Sequence, residues 1–218
     1  MTTTNKILIS DFDGTMTERD FFMVALSHLP PGAAAPWKRY EQGHASHFNA
    51  LAEIFSGLRV DEHELDSMLA EMKLESCLVE GFEHLHHTGW ALVIASAGCS
   101  FYIERMLAPT GIKVLIHANP GEFVPGRGLF MKPPRQSPFF SAETGIDKAA
   151  VVQHYLDQGF ATAFAGDGRP DLAPALLIPP ERRFARGWLA EELESRREPF
   201  VYFDRWCDIS LSFCGGSA

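Results

Sequence analysis

The sequence predicts an α/β protein in which a small helical cap is inserted into a doubly wound parallel sheet. Two observations predict this class. Short apolar runs typical of strands alternate with amphipathic helical stretches, and a long segment near the start of the chain contains no convincing strand. The 218 residues, 46% of them hydrophobic, are enough for one domain with an insertion.

Four apolar runs are the candidate strands of the sheet. Residues 6–10 are rich in isoleucine and leucine and lead directly into an acidic turn, which is the pattern of a buried central strand. Similar runs follow at residues 90–95, 112–117 and 161–165. Near the end of the chain we expect an edge strand around Phe184.

Helical stretches separate these strands. Residues 98–107 carry apolar side chains at helical spacing, and residues 147–158 begin with an acidic first turn and are followed by Gly159. Further helices are expected to start near Gly187 and Asp204. This alternation of strands and helices predicts the doubly wound arrangement.

The segment from residue 21 to residue 78 interrupts the alternation. It is expected to form several amphipathic helices, separated by the Pro-Pro-Gly turn at residues 30–32 and by Ser56-Gly57. We therefore expect a cap that opens and closes over a crevice on hinges at residues 14–17 and 78–81. The expected division is a catalytic core at residues 1–18 and 79–218 and a helical cap domain at residues 19–78.

Two other features give expectations about local structure only. Residues 120–145 are rich in Gly, Pro and Phe, which predicts an irregular hairpin excursion. The four cysteines lack the close paired spacing of a zinc site or a redox motif, so we expect structural or incidental thiols. They are Cys77, Cys99, Cys207 and Cys214.

Charge and hydropathy limit the classes of partner. The net charge of -9 and the isoelectric point near 5.4 leave no basic field for a polyanion, so we expect no nucleic-acid partner. The start of the chain holds only a short apolar run before two aspartates, which predicts neither a secretory signal nor a membrane span. We expect a cytoplasmic protein without a membrane partner, either a monomer or a homodimer.

Polar residues follow the candidate strands at the points where the strands end. Asp11 and Asp13 follow the first strand, Ser96 follows the second, and Asp167 comes directly after the fourth. Ligands of open α/β sheets bind at the carboxyl ends of the strands. We therefore expect these side chains to meet in one crevice.

Four motifs, in this order, resemble those of the haloacid dehalogenase superfamily. They are Asp-x-Asp-Gly-Thr at residues 11–15, Ser96 after an apolar strand, Lys148, and Gly-Asp-Gly-x-x-Asp at residues 166–171. The resemblance covers most of the chain. It implies a Rossmann-like core, a magnesium-dependent phosphatase activity and an aspartyl-phosphate intermediate on Asp11.

Within the superfamily, the resemblance is nearest to the branch that includes phosphoserine phosphatases and methionine-salvage enol-phosphate phosphatases. The Ser-x-Gly and aromatic-containing helix at residues 96–102, the early helical cap and the Phe-Ala-Arg at residues 184–186 look most like the methionine-salvage enzymes. Two residues depart from the usual pattern, Ala97 in place of a second glycine and Pro170 before Asp171. Both affect the geometry of a loop rather than the reaction.

The residue types suit phosphoryl transfer. A carboxylate such as Asp11 attacks phosphorus only when its charge is shielded from the phosphate, and Mg²⁺ supplies that shielding. Mg²⁺ prefers hard oxygen ligands, which Asp11, Asp167 and the carbonyl of Asp13 offer. Asp171 is the fourth residue of the expected metal site, where it orients the metal's surroundings or Lys148. The resemblance makes Asp13 the general acid and then the general base.

The phosphoryl group is expected to lie against Ser96 and the backbone of Ala97 and Gly98, because the start of the next helix presents free N–H groups. Lys148 opens a later helix and is expected to offset the negative oxygens in the transition state. Lys132 is the rival for this role. We favour Lys148, since Lys132 sits in a Pro-rich irregular stretch with no helix to fix it.

The cap is expected to set specificity. The candidates for facing the crevice are Glu18, Asp20, Arg39, His44, His47 and Phe48. The expected substrate contacts among them are Asp20, Arg39 and Phe48, together with Ala97 and Gly98. A cap arginine placed to bind the carboxylate of phosphoserine is not identifiable, which disfavours that substrate.

The expected substrate is a small phosphorylated metabolite. An enol or sugar-type phosphate of the methionine-salvage kind ranks first, with phosphoserine, phosphocholine or another small phosphomonoester as the alternative. A phosphoryl-accepting signalling domain of the receiver type is a different class, but such a domain lacks an inserted cap and accepts phosphate after a later strand. A catalytically inactive binding module is disfavoured, because every residue that the chemistry requires is present.

Overall fold

A parallel sheet forms the centre of the protein, in a computed structural model that describes residues 5–213. The strands are β1 (Lys6–Ser10), β2 (Ala91–Cys99), β3 (Leu115–Asn119), β4 (Gly121–Val124), β5 (Gly128–Met131), β6 (Phe140–Ser141), β7 (Gly145–Ile146), β8 (Ala161–Gly166), β9 (Arg183–Ala185) and β10 (Val201–Tyr202). The helices are α1 (Phe21–Ser27), α2 (Ala35–Glu41), α3 (His47–Ser56), α4 (Glu62–Glu71), α5 (Leu78–His87), α6 (Ser100–Leu107), α7 (Lys148–Asp157), α8 (Leu172–Leu176), α9 (Gly187–Arg196) and α10 (Trp206–Ser212).

The main sheet has the order β10-β9-β8-β1-β2-β3, and each neighbouring pair is parallel. Both faces of β1 are buried, because successive side chains of a strand point to opposite faces. Leu8 packs into one apolar cluster, whereas Ile7 and Ile9 pack into another on the opposite face. The predicted α/β class with a doubly wound parallel sheet is confirmed.

The predicted strands differ from the observed ones mainly at their ends. β1 and β8 lie where the apolar runs predicted them, but β3 starts three residues later than the predicted run at 112–117. The strand around Phe184 is β9, and the prediction that it forms the edge is wrong, since β10 pairs with its far side. The short run at 201–202 is too brief to stand out in the sequence.

β2 continues past its predicted end at residue 95. After an irregularity in the ladder its pairing with β3 resumes, with Cys99 opposite Asn119. Ser96 and Gly98 therefore lie in the last part of a strand, and α6 begins only at Ser100. The helix predicted at residues 98–107 thus starts two residues later than expected, and the amides next to Ser96 belong to a strand rather than to the start of a helix.

The expected excursion at residues 120–145 is present as antiparallel hairpins. β4 pairs with β5, and β6 pairs with β7. The first hairpin also contacts the segment between α3 and α4, where the amide of Gly126 donates to the carbonyl of Val60 at 2.8 Å.

The segment between β1 and β2 is helical in the described part of the chain, apart from one bridge between Thr17 and Leu74. The bridge places the two chain connections between this segment and the sheet next to each other. The amide of Glu18 donates to the carbonyl of Lys73 at 3.0 Å, and the amide of Glu75 donates to the carbonyl of Met16 at 3.0 Å. We call residues 21–71, which contain α1 to α4, the helical segment.

A disulfide joins Cys77 to Cys207 and thus ties the start of α5 to α10. The expectation of unpaired structural or incidental thiols is wrong for this pair, because a sequence separation of 130 residues hides it. Cys99 is a buried free thiol whose pKa burial raises to about 12. Cys214 lies outside the described residues.

Within residues 5–213, each helix is too short or too polar to cross a membrane.

Candidate active site

Three carboxylates meet where neighbouring strands end. β1 and β8 are adjacent, and the amide of Asp11 donates to the carbonyl of Ala165 at 2.9 Å. Asp11 and Asp167 therefore follow strands that end side by side. Oxygens of these two residues and of Asp171 lie within 4.8 Å of one another. The sequence prediction that Asp11 and Asp167 meet in one crevice agrees with this arrangement.

These carboxylates suit a divalent cation. Burial and then repulsion from Asp171 raise the pKa of Asp11 well above its ordinary value. Burial and then repulsion from Asp20 do the same for the pKa of Asp167. Ionised carboxylates crowded in this way need a nearby positive charge, and hard oxygen donors are the ligands that Mg²⁺ prefers. The donor set therefore fits the expected Mg²⁺, with Asp11 and Asp167 as its carboxylates.

Lys148 is the lysine that reaches this cluster. Its Nζ lies 2.8 Å from Oδ1 of Asp11 and 2.6 Å from Oδ1 of Asp171, and its side chain is 2% exposed. Burial alone would lower the pKa of Lys148, but the attraction of both carboxylates outweighs it and raises the pKa above its ordinary value. Lys132, the rival in the sequence, is exposed and lies 3.6 Å from Glu122 instead.

Asp171 uses both carboxylate oxygens within the protein. Oδ1 accepts from Lys148, and Oδ2 accepts from the amides of Asp167 and Gly168 at 3.1 and 2.9 Å. This arrangement favours the orienting role that the sequence left open beside direct metal binding. Pro170 fits here because residues 169–171 form a short 3₁₀ turn, in whose first turn a proline loses no hydrogen bond.

Asp13 is separate from the three clustered carboxylates. Its Oδ2 accepts from the hydroxyl of Tyr102 at 2.7 Å and faces Ser96 Oγ at 3.4 Å, while Oδ1 accepts from the amide of Phe21 at 3.1 Å. Burial raises the pKa of Asp13 despite these donors. A raised pKa favours the protonated carboxyl, which is the form that a general acid needs.

Tyr102 is a site residue that sequence reasoning missed. It lies on α6, six residues after Ser96, and its ring packs against Phe21 of the helical segment with centroids 4.6 Å apart. A single tyrosine on an amphipathic helix carries no signal of its own. Its contact with Asp13 depends on the tertiary position of α6.

Replacing Gly98 with alanine is expected to disrupt this arrangement. A Cβ at Gly98 would lie 1.9 Å from the hydroxyl of Tyr102 and 2.7 Å from Oδ2 of Asp13, so both groups must move. Because a displacement of about 1 Å can cost ~100-fold in rate, we expect a loss of that order in turnover. Gly57→Ala is the control, since Gly57 lies away from the cavity and its φ is negative. Equal turnover of the two variants would contradict the expectation.

Asp11, Asp13 and Asp167 open onto a cavity of about 250 Å³ between the sheet and the helical segment. The core side of the cavity is lined by Asp11, Asp13, Ser96, Ala97, Gly98, Tyr102, Lys148, Asp167, Gly168, Arg169, Pro170 and Trp188. The other side is lined by Asp20, Phe22, Trp37, Tyr40, His47, Leu51 and Phe55. The side chains that α2 and α3 contribute are thus aromatic, apolar or imidazole.

Aromatic rings pack closely on this wall. Phe22 stacks on Trp37 with centroids 4.1 Å apart, and Tyr40 and His47 lie edge-on or tilted to Trp37 at 5.0 and 5.6 Å. Sequence reasoning missed Trp37 and Tyr40 as cavity residues. The spacing of three between Trp37 and Tyr40, which puts them on one helix face, is the signal that could have indicated them.

Only two of the six residues predicted to face the crevice line the cavity of the described structure. Asp20 and His47 line the cavity, and burial followed by repulsion from Asp13 raises the pKa of Asp20 to about 7. Arg39 forms an exposed ion pair with Glu53 outside the cavity lining. The remaining three also lie outside the lining: Glu18 is paired with Lys73, His44 is exposed, and Phe48 is buried in the core.

Acidification is expected to destabilise the native protein relative to a His47→Phe variant. Burial lowers the pKa of His47 from 6.5 to about 4. Between these values the unfolded chain binds a proton at this position and the folded chain does not, so stability falls as the pH falls. From pH 7.5 to pH 5 the native protein should lose about 2 kcal/mol more than the variant. Urea unfolding measures this difference, and parallel pH profiles would count against it.

Clustered carboxylates, a lysine and a serine at the carboxyl ends of parallel strands define a hydrolytic or group-transfer enzyme of the α/β class. The sequence profile of the haloacid dehalogenase-like hydrolases matches residues 8–176. The chain therefore belongs to the haloacid dehalogenase-like hydrolase family.

Individual relatives agree with this assignment. The chain is 26% identical over 209 residues to a 2-hydroxy-3-keto-5-methylthiopentenyl-1-phosphate phosphatase of Brevibacillus brevis, covering 93% of this chain and 92% of that one. It is also similar in structure to a family hydrolase of Salmonella enterica serovar Typhi, with a TM-score of 0.74, 14% identity and coverage of 99% and 72%. A substrate-bound phosphoserine phosphatase gives a TM-score of 0.66, 13% identity and coverage of 95% and 97%.

Proposed function

We propose that this protein is a magnesium-dependent phosphatase that hydrolyses a small phosphomonoester through an aspartyl-phosphate on Asp11. The observation that carries the proposal is the single buried constellation at the cavity floor. Asp11 lies within reach of Lys148 and Asp167, and Asp13 lies close by with a raised pKa. When bound, Mg²⁺ would supply positive charge beside Asp11 and Asp167 and thereby reduce repulsion between the carboxylates and the phosphate.

The reaction proceeds by two displacements at phosphorus. An oxygen of Asp11 forms a bond to phosphorus as the bond to the leaving oxygen breaks, and Asp13 gives its proton to that oxygen. Asp13 then takes a proton from water, whose oxygen bonds to phosphorus as the bond to Asp11 breaks. Phosphate leaves, and both aspartates return to their starting states. Ser96 and Lys148 would hold the transferred group and offset its charge.

At the level of substrate, we place an enol phosphate of the methionine-salvage kind first. The name of the Brevibacillus brevis relative supports this choice, as does the absence of charged side chains among the cavity-lining residues of α2 and α3. Phosphocholine is the second candidate, because a cluster of aromatic rings suits a quaternary ammonium group. Phosphoserine is less favoured, since Arg39 is engaged by Glu53 outside the cavity.

We further propose that residues 19–78 act as a cap that closes over the substrate. The helical segment joins the sheet through the paired connections at residues 16–19 and 72–75, whereas the predicted hinge at 78–81 lies in α5 beside the disulfide. Closure would exclude water before Asp11 is phosphorylated. A cytoplasmic location and a monomeric or homodimeric state remain part of this proposal.

The test is phosphate release from a panel containing an enol phosphate, phosphocholine, phosphoserine and p-nitrophenyl phosphate, with Mg²⁺ or with a chelator. We expect Mg²⁺-dependent turnover, fastest on the enol phosphate. Faster release from phosphocholine would replace the first substrate with the second. The assignment as a phosphatase would be overturned by two results together: no release from any member of the panel, and no detectable binding of a phosphate analogue such as a metal fluoride.

A further inference from the structure

Arg186 directly follows β9, and its guanidinium lies among backbone carbonyl groups of the turn after Asp11. Nε donates to the carbonyl of Gly14 at 2.8 Å, and Nη2 donates to the carbonyls of Thr15 and Thr17 at 3.0 and 2.8 Å. The side chain is 15% exposed. A guanidinium offers five N–H groups in a rigid fork. Three of the five are thus directed to one short turn.

The other two donations come from Nη1 and tie this turn to two further segments. They go to Oε1 of Glu75 at 2.9 Å and to the carbonyl of Asp204 at 2.7 Å. Glu75 lies on the connection that returns from the helical segment, and its carboxylate is 9% exposed. A half-buried Arg–carboxylate pair in which every guanidinium N–H has an acceptor fixes geometry more strongly than an exposed pair does.

The turn held by Arg186 is also in direct contact with Asp167. Thr15 Oγ1 donates to Oδ1 of Asp167 at 2.8 Å. Gly14, at φ +69, lies so close that a Cβ there would be 2.3 Å from Oδ2 of Asp167. The position of residues 14 and 15 therefore sets the orientation of this carboxylate. Both contacts depend on backbone atoms that Arg186 holds.

We propose that Arg186 is a positioning residue that orients Asp167 for metal binding and fixes the two connections of the helical segment. Arg186 is not among the residues that line the cavity, and the five observed hydrogen bonds of its side chain go to groups other than the three clustered carboxylates. It acts through the turn at residues 14–17 and through Glu75. The metal-binding part of this inference rests on the proposed function, whereas the structural part does not.

Arg183, the first residue of β9, offers a matched control. It is 4% exposed and donates to the carbonyls of Ala175, Ile178 and Pro199 at 2.8 to 3.2 Å, with an ion pair to Glu198. These partners lie away from the turn after Asp11. Arg183→Met should therefore destabilise the protein without disturbing Asp167.

The experiment compares Arg186→Met, Arg186→Lys and Arg183→Met. The first readout is hydrogen exchange of the metal-free protein, and the second is Mg²⁺ binding by calorimetry. In Arg186→Met we expect amides at residues 14–19 and 72–75 to exchange at least ~10-fold faster, and Mg²⁺ to bind ~10-fold or more weakly. Arg186→Lys should lie between this variant and the native protein, since an ammonium keeps the charge but has only three donors.

Arg183→Met should lower the melting temperature by a similar amount and leave both readouts near native values. The proposal is overturned if the Arg186 variants change local exchange and Mg²⁺ affinity no more than Arg183→Met does. If Arg186→Met does not fold, the same comparison between Arg186→Lys and Arg183→Lys decides. Because neither readout needs turnover, a failure of the proposed phosphatase activity would be seen separately, in the substrate panel.

Discussion

Replacing Asp11 with asparagine is expected to lower turnover by about 10⁴-fold or more while the protein stays folded. An amide oxygen is too weak a nucleophile to form the covalent bond to phosphorus. The folded state should not suffer, because burial and repulsion from Asp171 raise the pKa of Asp11, so that its charge is costlier to bury than a neutral amide. The metal-free variant should therefore melt at the same or a higher temperature than the native protein.

Steady-state phosphate release and thermal melting without metal test this pair of expectations. Asp157→Asn is the control, because Asp157 is exposed at the end of α7 and its side chain accepts a hydrogen bond from Gln153, away from the cavity. The control should retain turnover within about two-fold. If Asp11→Asn retained a tenth of native turnover, Asp11 would not be the nucleophile.

Replacing Lys148 with methionine is expected to lower turnover by about 10²- to 10³-fold and to destabilise the protein. The ammonium contacts Asp11 and Asp171 with almost no exposure, so its removal leaves two buried carboxylates without their cation. Breaking a buried pair in this way costs about 3 to 5 kcal/mol, less where a carboxyl takes up a proton. Added Mg²⁺ should recover part of the stability, since it brings back positive charge beside Asp11.

The chain provides the matched control in Lys132→Met. Lys132 was the alternative in the sequence, but it is exposed and pairs with Glu122 at 3.6 Å. An exposed pair of this kind contributes little, so turnover and melting temperature should stay near native values. Equal losses in the two variants, or a larger loss in Lys132→Met, would contradict the assignment of Lys148.

The parts of the fold that the sequence predicted are those governed by local pattern. β1 could be recognised because a central parallel strand is apolar on both faces, and Asp11 and Asp167 could be paired because polar residues after neighbouring strands share one edge of the sheet. Lys148 followed from its position at the start of a helix. These inferences need no knowledge of distant contacts.

The structural features that the sequence did not predict depend on contacts between distant segments. Tyr102 meets Asp13 across 89 positions, Arg186 meets Gly14 across 172, and the disulfide spans 130. In the helical segment, burial depends on how each helix is rotated against the core. For this reason Trp37 lines the cavity whereas its neighbour in α2, Arg39, turns outward to Glu53.

The most direct test of covalent transfer through Asp11 is to trap the phosphorylated side chain. Native protein turning over its best substrate would be quenched and treated with borohydride, which reduces an acyl phosphate to an alcohol, and its peptides would be analysed by mass spectrometry. We expect homoserine in place of Asp11 in a substrate-dependent fraction of the peptide, and none in protein treated without substrate. Reduction at another carboxylate, or steady turnover with an unmodified Asp11 peptide under every quench time, would contradict covalent transfer through Asp11.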